Sequence, residues 1–160
     1  MNAPTQGECH SPTLIVIDMQ HAFPESEESW MIANVGREIR LAMAESRPII
    51  FVEFKGGGPT HAALTDLLAM PAGGYERVLF VEKDIPSGAT EIMKAAQSHK
   101  ISLKHTRFCG VKTRVCVRQT VGRLYMRLPE DSRFEIVKDA CNDPVNDWSF
   151  YDCFKRVTLV

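Results

Sequence analysis

The 160-residue sequence has no apolar run of transmembrane length, and its opening residues, 1–10, carry no basic segment followed by an apolar one. These absences argue against a helical membrane span and a secretory signal. Charge of one sign is also missing. With 19 basic and 20 acidic residues the formal net charge is −1, so nothing in the balance points to nucleic acid or an anionic membrane as partner. The five cysteines, at 9, 109, 116, 141 and 153, form no Cys-x-x-Cys pair. An odd, scattered set suits free thiols in a reducing compartment, and cytoplasm is the expected location. There is no internal repeat or low-complexity segment. Gly56-Gly-Gly-Pro59 lacks the Gly-Lys-Ser/Thr that would complete a phosphate loop, and it reads as a plain turn or a lid.

What is present is the composition of an ordinary globular chain, 44% apolar and 24% charged. One domain over residues 1–160 is expected, with 1–12 as a loose leader. Residues 13–17, Thr-Leu-Ile-Val-Ile, form a continuous apolar run rich in β-branched side chains. A strand buried on both faces reads this way, as in a parallel sheet. Similar runs occupy 48–54 and 77–81, with less regular ones at 101–109 and 134–138 and a short last one at 157–160. Between them the apolar residues step at helical spacing: Ile32, Val35, Ile39, Ala42 and Met43 within 26–46, then a short segment at 61–69. Ala89, Ile92, Met93 and Ala96 follow, then Val117, Val121, Leu124 and Leu128, and a last helix is expected at 148–154. Strands alternating with helices predict an α/β fold: a three-layer, doubly wound, mostly parallel sheet with helices on both faces, Rossmann-like in plan.

In such a sheet ligands bind outside the carboxyl ends of the strands, where the strand order reverses. Three reactive groups lie at such ends. Asp18 follows the first strand, Lys83 the third, and Cys116 stands just past the fourth. A thiol in the first turn of a helix meets unpaired N–H groups and a partial positive charge, which favour thiolate, the nucleophilic form. The same donors suit an oxyanion on a substrate. Asp18 can take and return the thiol proton, and Lys83 can bias both toward their charged forms. With strand order 3-2-1-4, the third strand lies about 10 Å from the first, a gap that only a long side chain spans. A buried, inert cysteine at a strand–helix junction, beside solvated Asp and Lys, is the competing reading.

Three segments carry a family resemblance: Leu14-Ile-Val-Ile-Asp-Met-Gln-His-Ala-Phe23, Val81-Glu-Lys83, and Cys109-Gly-Val-Lys-Thr-Arg-Val-Cys-Val-Arg-Gln-Thr120. With them the chain resembles the isochorismatase-like cysteine hydrolase superfamily from about residue 13 to 141. The resemblance implies an isochorismatase-like fold and a Cys116-Asp18-Lys83 triad. It further implies an acyl intermediate on Cys116 and an oxyanion hole from the N–H groups of Lys112 and Cys116. It also implies a cis peptide at Val111–Lys112, and pocket residues Gln20 and Phe23. Trp30 is expected to wall the pocket or to serve the core or an interface.

Departures from the family pattern sharpen the expectation. The nicotinamidase branch binds a metal through an Asp and two His after the second strand, whereas this chain offers His61 there with no Asp-x-His spacing. No metal and no cofactor is therefore expected. Lys112, Arg114 and Arg118 suggest a basic rim for a carboxylate-bearing substrate, and equally a solvated face or a subunit contact. The expected function is hydrolysis of a C–N bond, of amide or carbamoyl type, in a small molecule, by a homo-oligomer. The alternatives are a catalytically silent binding or assembly protein, and a thiol-based redox sensor using Cys116, with or without Cys109.

Overall fold

A computed structural model describes residues 11–145 and 147–160. Ten residues of the expected leader, Cys9 among them, lie outside this range. Six strands form one parallel sheet: β1 (Thr13–Ile17), β2 (Ile49–Phe54), β3 (Val78–Lys83), β4 (His105–Val111), β5 (Arg133–Asn142) and β6 (Val157–Leu159). Their order is β3-β2-β1-β4-β5-β6. The order reverses between β1 and β4, the place where ligands bind in open sheets of this kind. Four helices cover the faces: α1 (Ser29–Ala44), α2 (Ala62–Ala69), α3 (Ala89–Ser98) and α4 (Arg118–Arg127). Among the described residues no helix is long and apolar enough to cross a membrane.

The two-residue period of a strand sorts β1 between two cores. Leu14 and Val16 pack with Met31, Val35 and Ile39 of α1 and Leu64 of α2. Ile15 and Ile17 pack with Ile92 of α3 and Val121 and Leu124 of α4. Every residue of β1 is buried, and burying each large aliphatic side chain stabilises the fold by about 1.5–3 kcal/mol. That double burial is what a continuous apolar run encodes.

Several boundaries move. β4 is displaced towards its end, to 105–111, because Lys104 stays exposed at its entrance while Gly110 and Val111 are buried. β5 runs through Asp139 to Asn142, so that carboxylate does not mark a strand end. It lies exposed and pairs instead with Arg37 at 2.9 Å. The helix expected over 148–154 is a single 3-10 turn, Ser149–Tyr151, its aromatic residues packing individually against the core.

Gly110 brings the two central strands together at the site. It pairs with Ile17, and a Cβ on it would fall 2.1 Å from the Ile17 carbonyl oxygen, at a φ of 130°. Only glycine permits that approach. The register between β4 and β5 slips there as well, between Phe108 and Gly110, which re-aims the chain as it leaves the sheet.

Candidate active site

Asp18 leaves the end of β1 in a left-handed conformation, φ 52°, an uncommon state for a residue with a side chain. Its carboxylate is fully buried. Lys83, at the end of β3, crosses the width of β2 and places Nζ 2.8 Å from Asp18 Oδ2. A second hydrogen bond goes to the Pro86 carbonyl at 2.7 Å, and the ammonium stands 5.7 Å from the Phe54 ring centroid. Both charged side chains have no solvent exposure. Asp18 Oδ1 is equally buried and has no hydrogen-bond partner among the described residues.

Cys116 completes the group. It sits in a π-helical turn, Thr113–Val117, that joins β4 to α4. Its side chain is buried and interacts with both Asp18 and Lys83. Burial pushes the thiol up to about 12; the Asp18 charge pushes the same way, and Lys83 opposes it. This corrects the expectation of a ready thiolate. The turn is not the first turn of a regular helix, and the burial and the carboxylate outweigh whatever the turn contributes. Asp18 is itself raised, by burial first, with Lys83 and Cys116 acting against it. The resting pair is therefore a protonated thiol beside a carboxylate of increased basicity.

The turn below Cys116 is fastened from several sides. Lys112 has φ 61°, and its carbonyl accepts from the amides of Val115 and Val117 at 2.9 and 3.2 Å. No cis peptide occurs among the described residues, so the expected cis bond at Val111–Lys112 is absent. Left-handed Lys112 makes the reversal in its place. Asp143 accepts from the Arg114 amide at 3.0 Å and from Arg114 Nε at 2.7 Å. The Tyr151 hydroxyl donates to the Thr113 carbonyl at 2.8 Å. Thr120, fully buried on α4, accepts from the Gly88 amide at 3.0 Å, tying the turn's helix to the loop beyond Lys83.

Other residues singled out from the sequence occupy varied places. Gln20 is fully buried, but its amide is consumed by backbone: Oε1 accepts from Phe54 N at 2.7 Å, and Nε2 donates to Phe54 O at 3.0 Å and to Gly58 O. It clasps the loop after β2 and holds the Gly56–Gly58 turn. Phe23 packs edge-on against Phe54, centroids 6.3 Å apart. Trp30 is 45% exposed at the start of α1. Lys112 Nζ pairs with Glu25 Oε1 at 2.7 Å. Arg118 lies over Phe150. The cations near the turn are thus largely engaged within the molecule. Cys109 belongs to the core beneath α1 and Cys116 to the opposite one, so the sheet stands between the two thiols.

The sequence reading missed Glu25, Asp143 and Tyr151, which hold the turn. It also missed a group at the same edge: His21, Glu27 and His61, each offering a ligand atom within 4.8 Å of the others. His21 stands three positions beyond Asp18, which was the one local signal. Burial holds the His61 pKa below its ordinary value; the neighbouring His21 acts in the same direction and Glu27 opposes it.

Comparison with known proteins agrees with this architecture. Residues 12–154 match the Isochorismatase domain. N-carbamoylsarcosine amidase from Thermoplasma acidophilum superposes with a TM-score of 0.71 at 18% identity, over 92% of this chain and 94% of that one. Pyrazinamidase/nicotinamidase from Streptococcus mutans gives 0.74 at 17%, over 94% and 100%. MAR1 ribonuclease from Caenorhabditis elegans gives 0.65 at 25%, over 81% of this chain and 64% of that one. Among curated proteins no match is found.

Proposed function

The chain belongs to the isochorismatase domain family, and from that premise we propose that it is a cysteine hydrolase acting on a C–N bond, of amide or carbamoyl type, in a small molecule. The observation that carries the reading is the buried Asp18–Lys83 pair at 2.8 Å, with Cys116 interacting with both. Asp18 Oδ1, which has no other hydrogen-bond partner among the described residues, takes the thiol proton as Sγ attacks the carbonyl carbon. The carbonyl oxygen becomes an oxyanion, for which the family resemblance nominates the N–H groups of Lys112 and Cys116. Collapse expels the nitrogen, which leaves with the proton from Asp18. Water, deprotonated by Asp18, then attacks the thioester and frees Cys116. Lys83 opposes the burial that raises Asp18 and so favours its carboxylate form.

The two amidase-type neighbours support C–N chemistry. The ribonuclease neighbour is not followed, since Lys112 and Arg114 are paired with Glu25 and Asp143 and offer no open basic track for a phosphate backbone. Cys109 lies across the sheet, which argues against the form of the redox reading that pairs the two thiols. Homo-oligomerisation remains part of the proposal, supported by Phe80, half exposed on edge strand β3; light scattering on the purified chain tests it.

The deciding experiment is the pH dependence of Cys116 alkylation by iodoacetamide. The wild-type midpoint is expected well above that of a free thiol, about 8.5. Asp18→Asn should lower it by removing the carboxylate, and Lys83→Met should raise it. An ordinary midpoint, unmoved by both changes, overturns the coupled site. With coupling established, amides and ureas become the substrates to screen, and trapping a thioester on Cys116 by mass spectrometry identifies the reaction.

A further inference from the structure

We propose that His21, Glu27 and His61 form a binding site for a divalent transition ion of the zinc class, at the mouth of the same sheet edge. Two of the three side chains come from the loop that leaves β1, and the third immediately precedes α2. His21 Nδ1 lies 2.7 Å from Glu27 Oε1, and His61 Nε2 lies 3.9 Å from the same oxygen. The two imidazole rings meet edge to face with centroids 4.0 Å apart. In a tetrahedral zinc site, ligand bonds of about 2.0–2.1 Å place neighbouring ligand atoms about 3.3 Å apart. The present separations straddle that value, one shorter and one longer. Small side-chain rotations close the gap.

The framework around the three is already fixed. The His61 amide donates to the Met19 carbonyl at 2.9 Å, and Gln20 pairs with Thr60 across an antiparallel bridge. Ser26 Oγ lies 2.8 Å from His61 Nε2 and 2.7 and 2.8 Å from the Gln20 and Phe23 carbonyls; an ion on Nε2 takes the place of the Ser26 contact and leaves the hydroxyl donating to the carbonyls. His61 is 3% exposed, so one ligand is immobile. His21 and Glu27 have side chains 65% and 47% exposed, free to swing onto an ion arriving from solvent.

Two imidazoles and one carboxylate suit zinc and its neighbours in the first transition row, and do not suit calcium or magnesium, which take oxygen ligands. Three protein ligands on an exposed edge leave a fourth position for water or a donor atom of a small molecule. Binding replaces the direct His21–Glu27 contact and requires the ligating nitrogen of each ring to be unprotonated. This set differs from one drawn from the loop after β2 alone, which explains why counting residues in that loop finds a single histidine.

The test uses untagged, chelator-treated full-length protein, titrated with Zn²⁺ in a calorimeter and with Co²⁺ followed by visible absorption. One ion per chain is expected, with ligand-field bands of low-symmetry Co²⁺ and no thiolate charge transfer. His21→Ala, a change at an exposed side chain, should weaken binding by about 100-fold or more and abolish the bands. Cys116→Ser should leave both intact. Absence of stoichiometric uptake, uptake unaffected by His21→Ala, or bands lost in Cys116→Ser would each overturn the site. Because the readout is metal uptake, its result is independent of whether the cysteine hydrolyses anything.

Discussion

Two clusters of buried charge stand on this sheet. Below α1, towards the amino ends of β4 and β5, Glu38 receives Arg107 Nε and Nη2 at 2.7 and 3.2 Å. Arg107 Nη1 reaches Glu135 at 2.6 Å, and His105 approaches the same carboxylate at 2.8 Å. Every carboxylate oxygen there has a partner. At the carboxyl edge Asp18 and Lys83 are buried more completely, yet one Asp18 oxygen has no hydrogen-bond partner among the described residues. The contrast is chemical. A saturated network fixes helix to sheet and leaves nothing to react, whereas an acceptor left beside a thiol keeps a site for a proton in flight. Asp18 within that second cluster and Lys112 in the turn before Cys116 are both left-handed, and such backbone states persist where surrounding structure enforces them.

Substitution at each cluster should separate the two roles. The largest effect is expected from Asp18→Asn, which should reduce kcat/KM on any amide substrate by about 10,000-fold. Lys83→Met should cost about 1,000-fold. A variant that retains turnover within a few-fold would break the comparison. Arg107→Met should do the reverse. It leaves the buried Glu38 carboxylate with the longer Arg37 contact at 3.8 Å and should lower stability by about 3 kcal/mol, measured by urea unfolding, while leaving the Cys116 alkylation midpoint in place.

The smallest and sharpest difference is in pH. Burial pushes the Glu135 carboxyl up, but hydrogen bonds from Arg107 and His105 outweigh it and hold it below its usual range. Its stabilising contribution is complete above its unfolded pKa, about 4.3, and is lost as pH falls through the lower folded value. Asp18 has the opposite sign. Its folded pKa is raised, so the fold binds that proton more tightly than the unfolded chain does. Its contribution declines as pH rises from about 3.9 through the folded value. Glu135→Gln should flatten the acid limb of a stability–pH curve, and Asp18→Asn should steepen it. Parallel shifts in the two variants would show that the clusters do not differ in this way.

Much of this was legible in order along the chain. The apolar run 13–17 specified a strand buried on both faces, and the alternation of strands with helical stripes specified the doubly wound sheet. Asp18, Lys83 and Cys116 were placed at one edge by the rule that strand ends gather there. Local pattern carried this information because burial of a strand is written in consecutive residues. It did not carry the length of β5, whose last residues, 139–142, include polar side chains held by pairing with β4. Nor did it carry the single turn at Ser149–Tyr151, where aromatic packing overrides a helical pattern.

By itself, then, the sequence determined the fold class and nominated Asp18, Lys83 and Cys116 for one edge of the sheet. The tertiary structure decided their state and their surroundings. Whether Cys116 rests as thiol or thiolate depends on burial and on a carboxylate 98 positions away in sequence. Pairing of Arg107 with Glu38 spans 69 positions, and the approach of His61 to Ser26 spans 35. Electrostatic and ligand geometries of this kind arise where loops from separate strands meet, and no local periodicity encodes them.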